Sequence, residues 1–238
     1  MSLIKYIFHE LKEHSPFTLL GSVVGVLLMF LMRNISYGAS YKIFYTLHPA
    51  HVFLSSYVTT SMYRLHKDKY SFWKVLLVGY FGSIGVATLS NSIIPYIGEL
   101  LLKMPNAEAH IGFVEEWWIV NPIALFAIGL AYLKPYTKLT HASHIFVSTA
   151  ASLFHIMMAK GSGFSPVDSV LIVTFLFSAV WLPCCTSDII FPLLFTHSAK
   201  HIKSKLVCTT CAVELHEHPA GQETPEKFIE EDKTLGTN

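Results

Sequence analysis

Apolar stretches recur along the chain at roughly 17–33, 43–63, 72–102, 117–133, 139–159 and 167–196, and the charged residues gather between them and at both ends. A helix needs about 20 mostly apolar residues to cross the roughly 30 Å hydrocarbon core of a bilayer, so this spacing predicts six transmembrane helices. The third and sixth stretches are too long for one straight span. Pro95 falls inside the third, and Pro183 and Pro192 fall inside the sixth, which predicts kinks, tilt or broken helices there. Ahead of the first stretch, Leu3, Ile4, Ile7, Phe8 and Leu11 recur at helical spacing among Lys5, Glu10, Lys12 and Glu13. That pattern predicts an amphipathic helix on the membrane surface rather than a cleavable signal peptide.

Composition agrees with a lipid environment. Hydrophobic residues make up 52% of the 238 and charged residues only 14%, against about a quarter charged in soluble domains. A net charge of +1 gives a nucleic-acid partner no electrostatic support. Basic residues set the orientation. Arg64, Lys67, Lys69 and Lys74 follow the second stretch, Lys134 and Lys138 the fourth, and Lys200, Lys203 and Lys205 the sixth. After the third stretch the balance is acidic, with Glu99, Glu108, Glu115 and Glu116 against Lys103; Arg33 and Lys42 are the only dissent. The positive-inside rule then predicts a multi-pass protein of the cell membrane with both termini cytoplasmic. A homo-oligomer suits so small a bundle, although no residue specifies its order.

The chain also repeats itself. Residues 48–56 read HPAHVFLSS and residues 141–149 read HASHIFVST, with two histidines, a phenylalanine and a serine in register. Ser15-Pro16 opens the first stretch much as Asn121-Pro122 opens the fourth, and Ser90-Asn91-Ser92-Ile93-Ile94-Pro95 has a counterpart in Thr186-Ser187-Asp188-Ile189-Ile190-Phe191. The expected fold is therefore an all-α membrane protein of two three-helix repeats, residues 17–103 and 117–197. An N-terminal interfacial helix (1–16), an acidic outer loop (104–116) and a cytoplasmic tail (198–238) complete it. Three spans per repeat force the second copy to enter the membrane from the opposite side, which is the inverted symmetry common in secondary transporters.

Polar residues within the spans carry the candidate chemistry, because an unpartnered ionisable group in lipid costs several kcal/mol. His48, His51, Ser55 and Thr59 form one helical stripe, and His141, His144, Ser148 and His155 another; Asn91 lies in the third stretch, and Cys184, Cys185 and Asp188 in the sixth. Imidazole and thiolate suit Zn²⁺ first, with Cu⁺ or Fe²⁺ as alternatives, and do not suit Mg²⁺ or Ca²⁺. Without metal, the same histidines are interhelical hydrogen-bonding groups. Inverted symmetry sets the two His pairs at mirrored depths, as two stations on one pathway, unless a broken helix carries them to the midplane. His141 and His155 alternatively bracket a haem.

In the tail, Cys208 and Cys211 precede His216 and His218, a compact set of four candidate ligands, and residues 219–238 have the composition of a disordered segment. His110, Glu115 and Glu116 of the outer loop either collect cations or form a solvated rim, next to an aromatic belt at Trp117 and Trp118. The leading functional expectation is a transporter of a transition-metal ion or similar small solute by alternating access. The second class is an intramembrane metal-dependent or thiol-redox enzyme, and the third is a structural membrane subunit.

Overall fold

The computed structural model describes residues 3–32, 34–65, 67, 70–135, 138–160, 166–185 and 191–195. The described residues are helical throughout, apart from connecting segments. In order they form α1 (Leu3–Leu31), α2 (Tyr37–Leu65), α3 (Phe72–Thr88), a π-helical turn (Leu89–Ile93), α4 (Ile94–Leu101), the short α5 (Gly112–Glu115), α6 (Trp117–Leu133), α7 (Lys138–Ala159), α8 (Pro166–Cys185) and the short α9 (Phe191–Leu194).

Proline explains several boundaries. The ring of Pro16 cannot donate to the carbonyl of Lys12, and a proline inside a helix normally breaks it there. Here Ser15 Oγ donates to Lys12 O at 3.0 Å, so that carbonyl is satisfied and the helix passes through. Residues 3–31 are consequently one helix, with no break between an interfacial segment and the first apolar stretch. Pro95 acts differently. The carbonyl it leaves unbonded belongs to Asn91, and the chain widens into the π turn Leu89–Ile93 just before it. Such turns are rare and recur at functional sites. Pro183 lies in the last turn of α8, which ends at Cys185.

α2 and α7 pack against each other at the centre. Their flanks match: α3 and α6 lie against α2, while α1 and α8 lie against α7, and α1 touches α8 as α3 touches α6. Close approach is secured at Gly79 of α3, where an added Cβ would press on Thr60 and lie 3.0 Å from Ile128. At one end, the Arg64 guanidinium stacks on Tyr70 and Tyr132, at 4.9 and 5.1 Å from the ring centroids, and donates to the carbonyls of Ala131 and Tyr132. It thereby caps the C-terminal carbonyls of α6. At the other end, Asn106 N donates to Ala159 O at 3.3 Å and ties the 102–111 loop to the end of α7. α4 stops there in a Schellman motif: Met104 N donates to Glu99 O and Lys103 N to Leu100 O, with Lys103 at φ 51°.

The packing is polar inside and apolar outside. Ser55, Ser56, Thr59, Thr60, Asn91, Ser148 and Ser152 are fully buried, whereas Leu20, Leu27, Trp73, Phe81, Leu101, Trp117 and Phe126 are each more than half exposed. By length and apolarity, Phe72–Leu101 is the one helix among the described residues able to cross a membrane; Trp117–Leu133, Ser143–Ala159 and Asp168–Cys184 are apolar but shorter. Hydropathy falls short in α2 because its inward face carries His, Ser and Thr.

Candidate metal centre

The two polar stripes face one another. His51 has fourteen residues of α2 on either side of it, because the helix begins at Tyr37, six residues before the expected span. This places it at the middle of the central helix, where it meets His144 of α7. Their Nε2 atoms stand 2.6 Å apart, the rings stack at 4.6 Å between centroids, and both residues are fully buried. Cys184 of α8, also fully buried, completes the group: one donor atom from each of the three lies within 4.8 Å of the others. This His/Cys cluster is able to coordinate a metal ion.

Two imidazole lone pairs cannot point at each other at 2.6 Å without something between them, and either a shared proton or a cation resolves the repulsion. Tetrahedral zinc, with bonds of about 2.0–2.1 Å to nitrogen, holds its nitrogens roughly 3.3 Å apart, so an ion needs the rings to part by roughly 0.7 Å. Three protein donors leave one coordination position open, as in sites that exchange a ligand rather than in closed structural sites.

Asn91, carried by the π turn, organises the group around the triad. Its amide reaches His51 Nδ1 at 2.6 Å and His48 Nδ1 at 3.3 Å, while its other end lies 3.3 Å from the hydroxyls of Ser148 and Ser152 and 3.0 Å from Ser90 Oγ. The two ends of an amide are assigned from such a network. As placed, Nδ2 faces both Nδ1 atoms and Oδ1 accepts from the three hydroxyls, which puts the ring protons on Nε2 and lets His51 and His144 share one. Turned round, with Oδ1 toward the rings, Asn91 accepts Nδ1–H from both histidines and leaves each Nε2 lone pair for an ion. Cys184 Sγ donates to Ser148 Oγ at 3.4 Å, and Ser152 Oγ donates to Ser90 O at 2.8 Å, so the π turn, α7 and α8 are joined around the site.

The other expected ligands divide into three groups. His48 is buried beside the triad, stacked on Phe44 at 5.6 Å, with its ring lying against Gly112, where a Cβ would come within 2.6 Å of Nε2. His155 is buried elsewhere on α7, and its Nδ1 lies 2.6 Å from Glu99 Oε1. His141 and Cys185 belong to α7 and α8, but their side chains, together with Asp188 and the tail residues Cys208, Cys211, His216 and His218, lie outside the described residues. Ser55 and Thr59 are buried on the α2 stripe.

Glu99 corrects the reading of the outer loop. Sequence counted it with the acidic residues that follow the third stretch, but it sits inside α4 and is 1% exposed. Its neighbours explain the difference: Ile97, Gly98, Leu100 and Leu101 belong to an apolar helix, and a carboxylate within such a run needs a buried partner. Glu115 is anchored, accepting from Ile111 N at 2.9 Å and from the Tyr45 hydroxyl. Glu116 has its carboxyl pKa raised, first by burial and then by the Glu115 charge. No protein-family description, curated protein or solved structure matches this chain.

Proposed function

We propose that the chain is a multi-pass membrane transporter that carries a transition-metal ion through the His51–His144–Cys184 centre by alternating access of two inverted three-helix halves. The observation that carries this reading is the meeting of His51 and His144. They are the second histidines of the two repeated segments and stand 93 residues apart, and residues related by a two-fold axis can touch only on that axis. A substrate station on the axis is common to both halves, so tilting either half exposes the same ion to a different side.

Three further features support the reading. Asn91 and Cys184, from the third and sixth apolar stretches, each stand beside the two central histidines, so both halves contribute polar groups to the same centre. The flanking contacts of α2 and α7 come in matched pairs. The exposed apolar exterior around a polar interior is the burial expected in lipid, where apolar side chains need not be hidden and polar groups must find one another. One thiolate and two neutral imidazoles suit Zn²⁺ or Cu⁺. Six spans, both termini cytoplasmic, belong to the same proposal.

The test is metal flux into proteoliposomes containing the purified full-length chain, followed with an entrapped metal-sensitive dye. Zn²⁺ or Cu⁺ should enter faster than into empty liposomes, and Cys184→Ser should slow that flux at least tenfold. Flux indistinguishable from empty liposomes for both ions contradicts the proposal.

A further inference from the structure

The buried pair of Glu99 and His155 is not used by the central triad. A carboxylate can only accept, so the 2.6 Å contact to Glu99 Oε1 keeps the proton on His155 Nδ1. The lone pair is thereby directed to Nε2, which is buried and has no hydrogen-bond partner among the described residues. A carboxylate that orients a histidine through Nδ1 while Nε2 stays available is the usual support behind a metal-bound imidazole.

The surroundings supply the remaining donors. The ring of His110 stands edge-on to His155, with centroids 5.7 Å apart. His110 Nδ1 lies 3.7 Å from Glu115 Oε2, and its Nε2 lies 3.8 Å from Glu108 Oε2 and 3.3 Å from the Tyr37 hydroxyl. A cavity of about 430 Å³ open to the surface is lined by Tyr37, Asn106, Ala107 and Glu108, two of which, Tyr37 and Glu108, face His110. Glu108 is 72% exposed and His110 only 7%, so the donors run from the surface inward.

We infer that His155, His110 and Glu115 form a second, outer cation site, oriented by Glu99 and fed through the Glu108 cavity, which takes a divalent transition-metal ion before it reaches the central triad. The order of the two stations rests on the transport reading; the outer site itself does not. Two imidazoles and a carboxylate suit Zn²⁺, Co²⁺ or Fe²⁺, and without a thiolate they do not favour Cu⁺. Among the described residues only the central triad brings three donors within 4.8 Å, so the outer three must draw together around an ion, and that rearrangement makes the outer site the weaker of the two.

Cobalt separates the stations, because only the central one has a thiolate and gives thiolate-to-cobalt absorption in the near ultraviolet. The protein is the full-length chain with Cys208→Ser, Cys211→Ser, His216→Ala and His218→Ala, which silences the tail. Equilibrium dialysis with Co²⁺ should find two ions per chain, with the absorption saturating at one. His110→Asn and His155→Asn should each remove one ion and leave the absorption intact, which also shows that the bundle is folded. Cys184→Ser should abolish the absorption and keep the outer ion. If the absorption never appears but His155→Asn still removes an ion, the outer site stands and the central reading fails. If the chain binds only the ion that gives the absorption, or if neither His110→Asn nor His155→Asn lowers the total, the outer site is overturned.

Discussion

Replacing Asn91 with Leu isolates the role of the π turn, because the substitution keeps the volume and removes the amide. Two imidazoles, His51 and His48, lose the group that faces their Nδ1 atoms, at 2.6 and 3.3 Å. Three hydroxyls, those of Ser90, Ser148 and Ser152, lose a partner as well. The hydroxyls can rotate to other acceptors, since Ser152 already reaches Ser90 O. The two rings have no such freedom. Each orphaned buried group costs about 1–3 kcal/mol, so the protein should lose roughly 2–6 kcal/mol of stability. Losing the group that orients a ligand weakens metal binding ~10- to 100-fold. The assay is Zn²⁺ competition against a chelating dye, alongside thermal unfolding, in the full-length chain with Cys208→Ser and Cys211→Ser. A variant that unfolds earlier yet binds zinc within threefold of the parent would show that Asn91 holds helices together without setting the ligand geometry.

Other expectations concern stability and pH. The raised pKa of Glu116 means that its folded state favours the protonated carboxyl; the stability it contributes is present below its unfolded pKa and lost as pH rises through the folded value. Glu116→Gln should therefore be the more stable chain at neutral pH, with the difference vanishing in acid; parallel melting curves across pH would contradict this. Lys103→Gly should raise stability by roughly 1 kcal/mol, because a side chain at φ 51° is strained where glycine is not; a lower melting temperature would show that the lysine makes a compensating contact. Gly79→Ala places a Cβ 3.0 Å from Ile128 and against Thr60, so overpacking should cost about 1–3 kcal/mol in thermal unfolding while leaving zinc affinity unchanged.

Much of the arrangement was legible in the chain. Helices followed from the apolar stretches, and the repeated His-x-x-His segments singled out both central histidines, although mirrored depths implied two separate stations and the contact of His51 with His144 replaces them with one. The depth of that meeting was not legible. It depends on α2 starting at Tyr37, and Tyr37-Gly-Ala-Ser-Tyr-Lys is too mixed in polarity to be counted as part of a span. Glu99 was misjudged for a similar reason: a carboxylate near a span end looks like loop chemistry until its partner 56 residues away is known. Asn91 was named among the polar residues of the third stretch, but its reach to His51 was not legible. Ser15 was equally silent, since its hydroxyl repairs a helix that Pro16 alone would have ended. Cys184 was named among several equivalent candidates, and only three-dimensional proximity to His51 and His144 sets it apart.

A metal-binding station where the two histidines meet should hold zinc through purification, as read by elemental mass spectrometry of the full-length chain carrying Cys208→Ser, Cys211→Ser, His216→Ala and His218→Ala. The chain is incubated with Zn²⁺ and passed through a desalting column, and the same is done for versions that also carry His51→Ala, His144→Ala or Cys184→Ser. One zinc should be retained per chain, with at least a tenfold lower content in each of the three variants. No retained zinc in the starting chain after incubation, or zinc retained undiminished when all three residues are changed together, contradicts such a station.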